Sequence, residues 1–329
     1  MRAFIAFTRQ LSPAYRHLAL TVPGFPVTFR PGQFVMVKPV VAAAPFLARA
    51  FSIYRIGPGR EGPLVEILYK VLGKGTQCLA KLAPGDPLEV LGPFGNAFAL
   101  PEEGDTPILV AGGIGVPPIA ALAAAISSRE PRAASRDEKE PRTSNVERRI
   151  AHVLLGGRTS EDILCIKDFE EAGARVAITT EDGSLGTRGL ITDLLRPFLR
   201  ECRVPSAECR ESSRNEREPR SIIYTCGPQG MLAAVARLAA EFGMACQTSV
   251  EASMACGFGA CMGCAIEVVG PRPGPSYKLV CKDGPVFDSR EIAWKDEPRA
   301  GSREPRQASA GCRVPGAETD RQSSEAEKR

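Results

Sequence analysis

Apolar residues in this chain recur with two different periods, and the change of period divides it. From Met1 to about Leu100 the apolar runs are short and separated by Gly and Pro: Phe4 to Phe7, Gln33 to Val37, Phe51 to Tyr54, Leu64 to Val71 and Leu88 to Leu91. Short strands at this spacing predict a small β-barrel over residues 1–100. From Thr106 to about Cys246 strand-like and helical patterns alternate. Ile108–Ala111, Ala151–Leu155, Arg175–Thr179 and Ser221–Thr225 read as strands, and Ile119–Ser127, Ser160–Glu171, Gly189–Arg200 and Gln229–Phe242 as helices. That alternation predicts an α/β domain with a parallel sheet over 104–245. The next segment, 246–295, is short and rich in Cys and Gly, with too little apolar mass to fold without a staple. The fold expected is therefore multidomain: barrel, α/β domain and small C-terminal clip.

Three stretches interrupt the pattern. Residues 128–148, 202–220 and 296–329 are dense in charge, hold no aromatic residue, and carry only Val146, Val204 and Val314 among large aliphatic residues. They also repeat one another: Ser128-Arg-Glu-Pro-Arg132 recurs at Ser302 to Arg306, and Cys202-Arg-Val-Pro205 returns at Cys312. A solenoid repeat buries apolar residues against its neighbours, and these have almost none to bury. The expectation is two low-complexity inserts and a disordered tail. Both inserts fall in helix-to-strand connections, away from the carboxyl ends of the strands where ligands of parallel sheets gather.

Charge and cysteine content narrow the class further. Lys plus Arg at 42 against Asp plus Glu at 38 leaves a net charge of +4, too even a balance for a nucleic-acid partner. No window approaches the roughly 18 apolar residues of a membrane span, and Met1 to Arg9 lacks a signal peptide's apolar stretch. The reading is a soluble cytoplasmic protein with no membrane partner. Eleven cysteines, an odd number, fit metal ligands and free thiols better than disulfides in a reducing compartment. Cys78, Cys165 and Cys246 sit on apolar faces and read as core, while Cys202, Cys209 and Cys312 lie in the charge-dense stretches.

The strongest chemical signal is Cys256-Gly-Phe-Gly-Ala-Cys261-Met-Gly-Cys264 followed by Cys281, the C-x₄-C-x₂-C…C spacing of a plant-type [2Fe–2S] cluster. Four thiolates must converge on a small anionic group, and Gly257, Gly259 and Gly263 let the backbone wrap it closely. A Cys₄ zinc site is the alternative; it ordinarily uses two C-x₂-C pairs, and here there is one. Rieske ligation needs two nearby histidines, and the chain's two, His17 and His152, lie far away.

Three weaker signals accompany it. Arg49-Ala-Phe-Ser52 places a guanidinium beside a hydroxyl, able to clamp a phosphate, and Gly73-Lys-Gly75-Thr76 opens a helix-like segment, Thr76 to Leu82, whose free N–H groups suit an anion. Ala111-Gly-Gly-Ile-Gly-Val116 follows the first strand of the α/β domain, where a dinucleotide pyrophosphate approaches the backbone, although a plain strand-to-helix turn fits the same residues. Tyr224-Thr-Cys226-Gly-Pro228 ends the last strand of that sheet, so Cys226 faces the same crevice.

Arg49-x-x-Ser52, Gly75-Thr76, Gly112-Gly113-x-Gly115 and Cys226-Gly-Pro together resemble the ferredoxin reductase superfamily, a FAD-binding barrel followed by a nicotinamide nucleotide domain. Within it, Met254-Ala-Cys-Gly-Phe-Gly-Ala-Cys-Met-Gly-Cys264 with Ser249-Val-Glu251, and Glu181-Asp-Gly-Ser184 before Gly189-Leu-Ile-Thr-Asp193, resemble the electron-transfer subunits of type B dihydroorotate dehydrogenases. The resemblance implies that Arg49, Ala50, Phe51 and Ser52 hold the flavin and its phosphates, that Leu68, Tyr69 and Lys70 line the isoalloxazine, and that Gly75 and Thr76 bind the pyrophosphate. It implies ligation of a [2Fe–2S] cluster by Cys256, Cys261, Cys264 and Cys281. The turn at Gly112, Gly113 and Gly115 is read as the NAD⁺ site, with Cys226 expected beside the nicotinamide. Ala50 departs from the family, which usually has proline there. The implied role is to pass electrons from the FMN of a catalytic dihydroorotate dehydrogenase subunit through cluster and FAD to NAD⁺ in pyrimidine biosynthesis, two copies of each subunit forming a heterotetramer. The alternatives are an NAD(P)H-dependent reductase of another acceptor, such as ferredoxin, sulfite or a hydrogenase partner, and a zinc-stapled nucleotide-binding module.

Overall fold

A computed structural model describes residues 1–40, 47–128, 151–202, 220–270 and 274–294, all within one unit, Met1–Trp294. The stretches expected to be inserts and tail lie outside the described residues, save Ser128, Cys202 and Arg220 at their edges.

The N-terminal third forms β1 (Arg2–Gln10), β2 (Tyr15–Thr21), β3 (Phe34–Pro39), β4 (Arg49–Ser52), β5 (Arg55–Gly57), β6 (Leu64–Lys70), the short helix α1 (Lys74–Leu79) and β7 (Pro87–Phe94). The strands make one antiparallel sheet in the order β4-β3-β7-β1-β2-β6-β5. Its two outer strands, β4 and β5, are joined by Ile53 and Tyr54 alone. The Ile53 N–H donates to Gln33 O at 3.0 Å on one side and the Tyr54 N–H to Glu66 O at 2.9 Å on the other, so successive residues bridge both edges and close the barrel. Ile5, Leu18, Leu20, Val35, Val65 and Ile67 fill its interior. Strand β2 had no counterpart in the sequence pattern, because Arg16, His17 and Thr21 break its apolar residues into the short run Leu18–Leu20. It is a central strand paired with β1 and β6, and consecutive Leu18, Ala19 and Leu20 are all buried, so both faces are covered there.

The α/β part contributes β8 (Thr106–Gly112), α2 (Val116–Ser127), β9 (His152–Gly157), α3 (Ile166–Glu171), β10 (Arg175–Thr180), β11 (Thr187–Arg188), α4 (Ile191–Cys202), β12 (Ser221–Cys226), α5 (Gln229–Phe242) and β13 (Ala245–Ser249); the C-terminal segment adds β14 (Ala265–Val268), β15 (Ser276–Leu279) and β16 (Val286–Asp288). The second sheet runs β11-β10-β9-β8-β12-β13-β16 and is parallel apart from β16, which pairs antiparallel with β13. The chain builds outward from β8 in one direction through β9 and β10, then resumes on its other side with β12. The ends of β8 and β12 thus flank the switch point where such sheets open a crevice. The helix expected over Ser160–Glu171 is divided into a single turn, Ser160–Asp162, and α3, because Cys165 takes a left-handed conformation (φ 61°) between them.

The C-terminal segment is not self-contained. Strand β13 spans the boundary expected at 246 and belongs to the parallel sheet, and β16 extends that sheet. Cys264, Leu279, Val280, Cys281 and Phe287 pack with Phe34 and Met36 of β3, so the barrel supplies the apolar mass the segment lacks. Asn96 ties the two together: its amide donates to Asp283 O (3.0 Å) and Val286 O (2.7 Å), and its carbonyl oxygen accepts from the Val286 N–H (2.9 Å).

Candidate functional site

An open cleft with about 950 Å³ of empty space lies where barrel, parallel sheet and C-terminal segment meet. Its wall includes Arg49, Ala50, Phe51 and Ser52 of β4, Leu68, Tyr69 and Lys70 of β6, Thr76 of α1, and Cys226 at the end of β12. The sequence signals from the barrel and from β12, which β13 follows as a further parallel strand, therefore converge on one surface. Alternation along β6 turns the Tyr69 ring into the barrel core, where burial pushes its phenol up to about 12, and sends Leu68 and Lys70 the other way. Gly75 packs under the Arg49 guanidinium: a Cβ there would stand 2.6 Å from Arg49 Nε. Thr76 Oγ1 accepts from the N–H groups of Leu72 (2.9 Å) and Gly73 (3.2 Å), which fixes the turn before α1. Arg49 is steered by its own Nη1, which donates to Leu47 O at 2.7 Å.

The parallel sheet reaches the cleft through Ile114, Pro117 and Cys226. Gly115 allows this, since a Cβ on it would lie 2.5 Å from the Cys226 carbonyl carbon and the Gly227 nitrogen. Gly112 packs against Met231 and, with Gly115, serves close approach, while Gly113 supplies a positive φ (+52°); none of the three itself lines the cleft. Cys226 is buried, and burial followed by the nearby charge of Glu251 pushes its thiol far up, outweighing hydrogen bonding from Ser249 and Gly227. It is a neutral thiol, not a nucleophile.

Residues that the sequence did not single out for the cleft complete its wall. Phe34, Ser249, Val250, Glu251, Met254 and Pro285 all line it. The Glu251 carboxyl is solvent-accessible yet crowded by the cleft, and that desolvation raises its pKa. Behind Lys70 stands an interdomain cluster. Lys70 Nζ lies 3.0 Å from Asp162 Oδ1, the Tyr15 hydroxyl donates to the same oxygen at 2.6 Å, and the Arg158 N–H donates to Asp162 Oδ2 at 3.1 Å. Burial alone would raise Asp162, but the bonds from Tyr15 and Lys70 and the ammonium charge hold it below the usual carboxylate range. No local motif marks this cluster, because 147 residues separate Tyr15 from Asp162.

Two residues beyond Met254 the chain enters the cysteine loop, so cleft wall and first thiol are at most about 7 Å of backbone apart. The thiols fall into two pairs: the Cys261 N–H approaches Cys256 Sγ at 3.5 Å, and the Cys281 N–H approaches Cys264 Sγ at 3.4 Å. Gly257 (φ +85°) and Gly259 (φ +94°) make the loop's reversals, and a Cβ on Gly257 would strike Met36 at 2.5 Å. Slight burial raises Cys256, but backbone N–H groups of Phe258, Cys261 and Ala260 bring its thiol down to about 6, ready to ligate as thiolate. Burial and then the neighbouring Cys264 push Cys281 up to about 12, a crowding of sulfurs that a cationic iron core relieves. Among the described residues no three His, Cys, Asp or Glu side chains converge on a single metal ion. A two-iron cluster spreads its four thiolates as two pairs, one to each iron, and the donor set fits that group.

A barrel with an open cleft against a parallel sheet and a four-cysteine loop define a ferredoxin reductase-like oxidoreductase with an iron–sulfur module. The solved NADH-dependent reduced ferredoxin–NADP oxidoreductase is similar over 89% of this chain and 90% of its own, with TM-score 0.66 and 25% identity. A Neisseria gonorrhoeae ferredoxin NADP⁺ reductase with bound FAD and NADP shares the fold (TM-score 0.51, 17% identity, 74% of this chain and 91% of that one). Residues 109–237 match the oxidoreductase NAD-binding domain, and residues 251–293 match the iron–sulfur cluster binding domain of dihydroorotate dehydrogenase B. The electron transfer subunit of dihydroorotate dehydrogenase B (NAD⁺) from Caldanaerobacter subterraneus subsp. tengcongensis is 34% identical over 80% of this chain and 87% of its own length; that from Bacillus caldolyticus is 35% identical over 80% and 86%. The chain belongs to this family of electron transfer subunits.

Proposed function

We propose that this chain carries electrons between a catalytic subunit that oxidises dihydroorotate and NAD⁺, with FAD in the cleft and a [2Fe–2S] cluster on Cys256, Cys261, Cys264 and Cys281. The observation that carries the reading is the continuity of the two sites: Met254 lines the cleft and Cys256 begins the cysteine loop. FAD supplies the junction, since it exchanges hydride with a nicotinamide and single electrons with a cluster. Arg49 and Ser52 bind its phosphates, Ala50, Phe51, Leu68, Tyr69 and Lys70 border its ring, and Gly75 with Thr76 shapes the pyrophosphate end. Gly112, Gly113 and Gly115 let the dinucleotide approach the backbone at the switch point, and the neutral Cys226 thiol packs beside the nicotinamide.

In this reading residues 1–100 are the flavin barrel, 104–245 the nucleotide domain and 246–295 the cluster domain, the last sharing its β13 with the sheet. Two such chains join two catalytic FMN subunits in a heterotetramer. No described helix is long and apolar enough to cross a membrane. Eight of the described cysteines are in no disulfide, which suits the reducing cytoplasm of this reading. Co-expression with the catalytic subunit tests the proposal. The expected product is a co-purifying complex with flavin and iron–sulfur absorbance; a colourless chain carrying zinc defeats the reading in favour of a stapled nucleotide-binding module.

A further inference from the structure

Two acidic side chains of the nucleotide half each hold a tyrosine and a cation of the barrel. Asp162 takes Tyr15 and Lys70, while Asp168 of α3 accepts from the Tyr54 hydroxyl at 2.7 Å and pairs with Arg55. The two sets differ in one respect: Lys70 lines the cleft, whereas Tyr54, Arg55 and Asp168 stand outside its wall. Asp162 is well enclosed, with 13% of its side chain exposed, and its three donors leave the carboxylate little freedom to turn away. Lys70 itself is 29% exposed and carries a flexible stem, so its ammonium needs an anchor to occupy one place.

We propose that Asp162 is a positioning residue that holds the Lys70 ammonium at the cleft wall and offsets part of its charge, thereby setting the reduction potential of the flavin bound there. The inference rests on the cleft being the flavin site. A reduced flavin carries more negative charge than an oxidised one, so an ammonium facing it favours reduction. A carboxylate 3.0 Å behind that ammonium weakens the effect. Removing the carboxylate strengthens the local positive field, and removing the ammonium abolishes it.

The test is an anaerobic spectroelectrochemical titration of the FAD in the purified complex with the catalytic subunit. Asp162→Asn is expected to raise the midpoint potential and Lys70→Gln to lower it, each on the scale of a tenfold change in the reduced-to-oxidised ratio, about 30 mV for a two-electron couple. Asp162→Glu, which keeps the charge, is expected to stay closer to the wild type than Asp162→Asn. Asp168→Asn, which loosens the other contact between the halves, leaves the potential unchanged. A wild-type potential in Asp162→Asn at full flavin content overturns the proposal. So does an equal shift in Asp168→Asn, which marks general loosening. A wild-type complex without flavin absorbance overturns the underlying reading of the cleft instead.

Discussion

Cys226 is held neutral by its surroundings, and this decides what it can contribute. A thiol pushed upward by burial and by the Glu251 charge stays protonated through the physiological range. Its value is then its shape, a small polarisable surface between the glycine turn and the cleft. Replacing it with alanine is expected to slow flavin reduction by NADH on the order of tenfold, through a looser nicotinamide. The wild-type rate should show no thiol ionisation between roughly pH 6 and pH 9, because a raised pKa moves the titration above that window. Stopped-flow absorbance across that pH range checks both statements. The residue was legible because it ends a strand at a predictable point of a parallel sheet. Asp162 was not: it sits in an ordinary polar turn, and only the folded chain brings Tyr15 and Lys70 to it.

At the level of elements, the sequence pattern located most strands and helices but misread those whose environment overrides periodicity. Strand β2 carries Arg16 and His17 beside buried Leu18, Ala19 and Leu20, so no clean alternation marks it. The run Ser160–Glu171 has helical composition, yet the left-handed Cys165 divides it and frees Asp162 to face the barrel. The cluster segment looked too poor in apolar residues to fold, and it solves the problem by borrowing Phe34 and Met36 and by pairing β16 with β13. Asn96 is the main polar tie in that arrangement. Asn96→Ala removes three hydrogen bonds to the 283–286 turn and should cost about 2 kcal/mol in urea unfolding. Cluster absorbance should bleach at lower urea than flavin absorbance if that tie serves the cysteine segment first.

For the whole molecule, the succession of an antiparallel barrel, a parallel sheet and a C-terminal cysteine segment was readable from spacing and alternation, because those signals are local. The closure of the barrel through Ile53 and Tyr54 and the meeting of three parts at one cleft depend on contacts between residues far apart in the chain. In the proposed reading that meeting makes a two-electron carrier and a one-electron carrier neighbours, and this is the central claim. Anaerobic addition of NADH to the purified complex, followed by visible absorbance and electron paramagnetic resonance, tests it most directly. The account predicts two irons per FAD, bleaching of flavin and cluster in the same experiment, and a reduced-cluster signal. Flavin that bleaches while the iron–sulfur centre stays oxidised would contradict it.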